Sequence, residues 1–210
     1  MAYNSHFYRM YANYLRELAV IKAHQKAFDV FSLLMPAHTP TNVVDLGCGL
    51  GEYGSHGYYT NYVGLDKQPE LQQEERWVKL PPYEKFLVSD YTTLDFVDQL
   101  SFVSFEPTAF ISLFSIEACL PLAERYALYT KMFSTFPTIQ HALVSGFYYA
   151  SKAGEETVSE TGDITSYQTV ESLESVKNDT FSEMRLTMHV PSEMFGPDVY
   201  EVWKILTRKA

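Results

Sequence analysis

The chain has 210 residues, 46% hydrophobic and 20% charged, with a formal net charge of -10. That size buries a core without disulfides or structural metal, no apolar run nears the roughly 20 residues of a membrane span, and no lysine or arginine cluster favours nucleic acid. The two cysteines, Cys48 and Cys119, lie far apart without Cys-x-x-Cys spacing, which disfavours a disulfide scaffold or a zinc site. With no continuous apolar stretch at the N-terminus, the expected setting is cytoplasmic.

Apolar positions recur at helical spacing from about Asn4 to Met35. Phe7, Tyr11, Tyr14 and Leu18 make one face, and Phe28, Phe31 and Leu34 another, so one or two helices are expected before Pro36 and Pro40. NVVDLG and NYVGLD have the β-branched, short pattern of buried strands. FLVSD makes a third and AFISLFSI a fourth. Gln72 to Val78 and Phe96 to Phe102 suit helices or long connections between them. Leu122, Tyr126, Tyr129 and Phe133 define an amphipathic helix from Leu122 to Phe136. HALVSGFYYA is a fifth strand. SKAGEETVSETGD reads as an exposed, mobile loop, and Thr165 with Gln168 forms a capping box that opens a helix. FSEMRLTMHV and VYEVWKILTR close the chain as an antiparallel pair. Strands alternating with helices imply a mostly parallel sheet covered on both faces, with ligand beyond the carboxyl ends of the strands.

The chain holds ten glycines, and four fall in VVDLGCGLGEYG. A strand running into G-x-G-x-G needs backbone that turns sharply and admits a close neighbour. Counted from Gly47, a dinucleotide spacing puts Glu52 where a diphosphate-facing glycine should stand, and Asp45 adds negative charge. A cationic or zwitterionic ligand suits such a turn better than an anionic one. Asp66 ends NYVGLD and Asp90 ends FLVSD. A carboxylate's paired acceptors suit a vicinal diol, and it can also accept from an exocyclic amine; alternatively, either acid is an ordinary turn residue.

VVDLGCGLG, with Asp66 and Asp90 in order behind it, resembles the class I S-adenosylmethionine-dependent methyltransferases. The resemblance covers nearly the whole chain. It implies an α/β, Rossmann-like three-layer sandwich: a mostly parallel seven-stranded sheet with an antiparallel C-terminal strand. One domain is expected, with an N-terminal helical cap over 1–40 and the core over 41–210. It implies S-adenosylmethionine as cofactor, held by Asp45, Gly47, Cys48, Gly49, Gly51, Asp66, Lys67, Asp90, Tyr91 and Phe114. Asp66 would take the ribose hydroxyls, Asp90 the adenine amine, and Tyr91 would flank the ring.

Gly54 and Gly57 interrupt the usual first helix, which should be short or broken. The fourth strand begins at Thr108 and Ala109 without the acid often found there, and no N-P-P-Y tetrapeptide follows it, so nucleic-acid amino-methylation is not supported. Methyl transfer needs a base only when the acceptor must lose a proton. Glu117 is the candidate for that base or for a substrate contact; the alternative is a solvated carboxylate at a helix start. His56 could reach the pocket, while Cys48 reads as a small packing residue. Tyr11 and Tyr14 are placed either to cover the methionine end as a lid or to pack the first helix on the sheet. Tyr148 and Tyr149 are candidates for the acceptor side. The function expected is methyl transfer to a small-molecule or protein acceptor, with a catalytically silent binding or scaffold protein as the alternative and a nicotinamide oxidoreductase third.

Overall fold

The structure is a computed structural model, which describes residues 11–35, 41–51, 59–93, 95–149, 156–158, 164–166, 178–193 and 196–210. A helical turn at 11–14 leads into α1, Leu18–Ser32. One stripe of α1 is buried: Val20, Ala23, His24, Ala27, Phe28 and Phe31, at the spacing that puts side chains on a single face. Leu18, expected inside, is 66% exposed. The break at 15–17 shifts the helical phase between Tyr14 and Leu18, and Glu17 takes the α1 N-cap in extended backbone. Its carboxylate accepts from Ser192 Oγ at 2.9 Å and from the Glu193 amide at 3.3 Å, pinning the start of α1 to the last hairpin.

The strands follow in the expected order: β1 Asn42–Leu46, β2 Asn61–Asp66, β3 Glu84–Val88, β4 Ala109–Leu113 and β5 His141–Tyr149. A 3-10 turn, Pro69–Gln73, and a short α2, Glu75–Val78, join β2 to β3, and α3, Phe96–Phe102, joins β3 to β4. The fourth strand is shorter than the sequence suggests. It stops at Leu113, and Ile116, counted there as strand, opens α4, Ile116–Cys119. α5, Leu122–Thr135, follows and buries Tyr126, Tyr129 and Phe133 as its periodicity requires.

Two segments differ from expectation between 151 and 177. Glu156–Val158 forms β6 and Ile164–Ser166 forms β7, an antiparallel pair, so Thr165 lies in a strand and not at a helix start. β7 lies beside α4. The rest of that loop and of the expected helix, with Val170, Leu173 and Val176, falls outside the described residues. β8, Phe181–His189, and β9, Val199–Arg208, close the chain as the expected antiparallel pair.

The main sheet runs β3-β2-β1-β4-β5-β9-β8, parallel through β5 and antiparallel at β9 and β8. β1 and β4, both central, read as nearly continuous apolar runs because both of their faces are covered. Alternation divides the core. Val44, Leu46, Phe110 and Val144 face α5 with Tyr129 and Phe133. Val43, Ile111, Leu143 and Trp203 face α1 with Phe28 and Phe31. The strand order reverses between β1 and β4, the switch point at which open α/β sheets have their ligand crevice, beyond the carboxyl ends of the strands.

Candidate functional site

At that crevice the chain leaves β1 through Gly47, Gly49 and Gly51, all left-handed, with φ of 75°, 53° and 68°. Such angles disfavour any residue with a Cβ. The Gly47 and Cys48 amides both donate to the Leu65 carbonyl, at 2.8 and 2.9 Å, folding the turn over the end of β2. The close approach that demands glycine is made first by the protein itself. A Cβ on Gly47 would stand 2.0 Å from Ser115 Oγ, and one on Gly51 would stand 2.4 Å from the Trp77 indole. Trp77 fills the space under the turn, its Nε1 donating to the Gly49 carbonyl at 3.0 Å. It stacks on Tyr62 with centroids 6.3 Å apart. Cys48, buried, packs beside Gly64 as the small residue it was expected to be.

Two carboxylates, Asp45 and Asp66, flank the turn, and a third, Asp90, follows β3. Asp45, on β1, is 1% exposed. Its Oδ2 accepts from the Tyr62 hydroxyl at 2.6 Å, while Oδ1 is buried with no hydrogen-bond partner among the described residues. Burial, and to a lesser degree the charge of Asp66, push its carboxyl up to about 7 against the lowering effect of Tyr62. Asp66, the last residue of β2, accepts from the Gly49 amide at 3.0 Å and the Gln68 amide at 3.1 Å, so it ties the glycine turn in place. Burial raises its pKa as well. Asp90, just past β3, is exposed, and its Oδ1 accepts from the Thr92 amide and hydroxyl at 2.9 and 2.6 Å. Tyr91 is buried, and burial raises its hydroxyl's pKa; that hydroxyl shares a 2.8 Å hydrogen bond with Ser115. Lys67 is exposed next to Asp66.

The end of β4 sharpens the geometry. Ser112 Oγ donates to the Leu46 carbonyl at 2.9 Å and accepts from the Ile116 amide at 3.2 Å, so one hydroxyl ties the end of β1 to the start of α4. Phe114 between them has φ of 58°, an uncommon angle for an aromatic residue. This turn sends consecutive side chains apart. Ser115 meets Gly47 and Tyr91 on one side. Phe114 stacks on Phe147 at 4.4 Å and on His24 at 5.7 Å on the other, with Tyr11 and Tyr14 edge-on.

The fold of this chain matches solved structures over most of its length. A SAM-dependent methyltransferase from Anabaena variabilis superposes with a TM-score of 0.63 at 13% identity, covering 93% of this chain and 86% of its own. The magnesium protoporphyrin IX methyltransferase of Synechocystis, solved with bound SAM, gives 0.61 at 12% identity, covering 98% and 93%. A methyltransferase from Mesorhizobium loti gives 0.51 at 14% identity, covering 85% and 96%. The chain has the class I methyltransferase fold. No protein-family model and no curated protein sequence matches it.

Of the residues expected to hold the cofactor, Asp66 bonds the Gly49 amide, Tyr91 lies against Gly47, and Asp45 and Cys48 are buried at the end of β1 and in the turn, while Lys67 and Asp90 are exposed. Glu117, the candidate base, lies in a buried ionic cluster and not in solvent. It is 2% exposed, and its carboxylate takes Lys204 Nζ at 2.6 Å, Arg125 Nη1 at 3.3 Å and the Tyr129 hydroxyl at 2.5 Å. Burial alone would raise its pKa, but Lys204 and Arg125 hold it below the usual carboxylate range. Tyr14 is fully buried, and its hydroxyl donates to Glu201. Tyr148 packs against Tyr200 with the rings tilted at 57° and their centroids 5.8 Å apart. His56 lies outside the described residues, as does the side chain of Tyr149. Ser112, Ser115, Trp77 and Tyr62 went unread in the sequence because their roles arise from contacts between strands; the run Ser112 to Ser115 at a strand end was the one local signal.

Proposed function

We propose that the chain is an S-adenosylmethionine-dependent methyltransferase. The observation that carries this reading is the order of the carboxylates around the glycine turn: Asp45 on β1, Asp66 ending β2, Asp90 after β3. Their chemistry fits that cofactor. Asp45 Oδ1, without a partner among the described residues, offers a buried acceptor for an ammonium group. Asp66 accepts from the turn's Gly49 amide through Oδ2 and from the Gln68 amide through Oδ1, and keeps further lone pairs for a diol. Asp90 stands at the exposed edge where an exocyclic amine can donate, with Lys67 beside Asp66. The Synechocystis neighbour, of the same fold, was solved with this cofactor.

When bound, the cofactor supplies a methyl group on a sulfonium, so the protein's contribution is chiefly alignment and exclusion of water. Gly47, Gly49 and Gly51 hold the turn, and Asp66 fixes it through the Gly49 amide. Ser115 and Tyr91 close the side toward β3, while Phe114 and its aromatic neighbours close the other, where π faces favour a cation. Glu117 in this account is a structural counter-ion for Lys204 and Arg125, not a base. The acceptor is a small molecule or a protein side chain, and one 210-residue domain carries the site. Among the described residues no helix is long and apolar enough to cross a membrane.

Thermal unfolding with S-adenosylhomocysteine or with a nicotinamide dinucleotide tests the reading. The homocysteine compound should raise the melting temperature and the dinucleotide should not; the reverse pattern supports an oxidoreductase. A silent scaffold would bind the homocysteine compound yet release no methyl group to any acceptor.

A further inference from the structure

β8 is the outermost strand of the main sheet, and among the described residues only β9 pairs with it. Along an antiparallel strand, successive residues turn their amide and carbonyl toward one neighbour and then the other. Even-numbered residues of β8 turn toward β9: at its two ends the Val190 amide donates to the Val199 carbonyl at 2.9 Å, and the Lys209 amide donates to the Thr180 carbonyl at 3.0 Å. Phe181, Glu183, Arg185, Thr187 and His189 therefore present their backbone groups to the outer edge. That edge runs nine residues in unbroken register, without proline, lysine or bulge, three of the devices that keep a long edge from pairing. Its two charges, Glu183 and Arg185, are of opposite sign. Between them Met184 is 42% exposed, a large apolar side chain in the middle of the strand.

We propose that β8 pairs antiparallel with β8 of a second copy of this chain, joining the two sheets across a twofold axis at Met184. Charge selects both the occupant and the register. A twofold axis sets the strand against its own reverse, so with Met184 opposite the partner's Met184, Glu183 stands opposite the partner's Arg185 and Arg185 opposite the partner's Glu183. Both of these pairs fall where the backbone groups point outward. Centring on Arg185 would put guanidinium against guanidinium, and centring on Glu183 carboxylate against carboxylate; like charges directly opposite are destabilising. Centring on Leu186 would set Glu183 opposite His189 and Arg185 opposite Thr187, with no arginine–carboxylate pair. Within one chain Glu183 takes Arg185 Nε and the Tyr126 hydroxyl, so the two charges lie side by side next to α5. The partner's pair meets them in the opposite order and closes a square of alternating sign. β4, β5 and β9 separate this edge from β1 and its glycine turn, so the proposal stands apart from the cofactor reading.

Sedimentation of the full chain in the micromolar range should give twice the 24.1 kDa of one copy. Arg185→Glu sets a carboxylate against Glu183, and Glu183→Arg sets a guanidinium against Arg185, so each variant alone should sediment as one copy. Mixed in equal amounts the two should recover the dimer, because every opposed pair is again of opposite sign. Met184→Cys gives a second readout that leaves both charges in place and decides the matter if the charge variants do not fold. At a non-hydrogen-bonded antiparallel pair the opposed Cα atoms lie about 4.5 Å apart, within disulfide reach, so this variant should cross-link to a dimer on mild oxidation. Leu186→Cys, on the axis of the competing register, should not, and neither should wild type with its free Cys48 and Cys119. A monomeric wild type overturns the proposal. So does a dimer that Met184→Cys fails to cross-link, a dimer that Leu186→Cys cross-links in its place, or folded charge variants that dimerise as well alone as when mixed.

Discussion

The Tyr62 hydroxyl donates to Asp45 at 2.6 Å, yet the other oxygen of the same buried carboxylate has no partner among the described residues. One neutral hydrogen bond does not compensate the burial of a charge. The Asp45 pKa is therefore raised from 3.8 to about 7. A carboxyl that holds its proton in the folded state makes folding more favourable at low pH. Its stabilising effect is complete below the unfolded value and is lost as pH rises through the folded one. Unfolding free energy of the ligand-free protein is expected to fall between about pH 3.8 and about pH 7, by a few kcal/mol on the order given by pKa linkage. Asp45→Asn should flatten that part of the profile in denaturant titrations, leaving the contributions of other groups.

The same carboxyl predicts how the cofactor responds to pH. A cationic amine beside Asp45 favours its ionised form, so affinity for S-adenosylhomocysteine should weaken as pH drops below about 7. Calorimetry across that range should show the dependence in wild type and lose it in Asp45→Asn.

Gly47→Ala meets Ser115 directly, with the added Cβ 2.0 Å from its hydroxyl oxygen and the backbone at φ 75°. Left-handed strain and overpacking together should cost on the order of 2–4 kcal/mol. Removing the obstruction with Ser115→Gly in the double variant should recover the overpacking share and leave the backbone share, as read by chemical denaturation.

Glu117→Ala leaves Lys204 without its 2.6 Å partner in a fully buried setting. Breaking a buried pair in this way costs about 3–5 kcal/mol. A double variant, Glu117→Gln with Lys204→Met, should regain the share of that loss due to Lys204, though not the share due to Arg125, whose guanidinium still lacks its carboxylate, and, if Glu117 is structural, retain methyl transfer. A double variant that folds well and binds cofactor but has lost turnover would restore Glu117 to a chemical role.

The sheet was legible because each strand carries its own signal: buried strands read as short β-branched runs, and β8, at the edge, alternates. The glycine turn was legible as a turn, though not from glycine spacing alone. Gly49, Gly51 and Gly54 also satisfy the dinucleotide pattern, so Asp45, Asp66 and Asp90 carry the distinction. The burial of Glu117 was not legible because its cations come from elsewhere, Lys204 lying 87 residues away. The Tyr14–Glu201 bond spans 187 residues, which no local pattern announces. Thr165 matched a capping box, but pairing with Thr157 in the β6–β7 ladder takes it into a strand.

The most direct measurement is a calorimetric titration of S-adenosylhomocysteine into wild type and Asp66→Ala, with Asp66→Asn as a control that keeps a side-chain acceptor for the Gly49 amide. Binding by wild type, abolished in Asp66→Ala and weakened in Asp66→Asn while all three remain folded, is the result predicted. Wild-type affinity in folded Asp66→Ala, or no binding by wild type, would contradict the account.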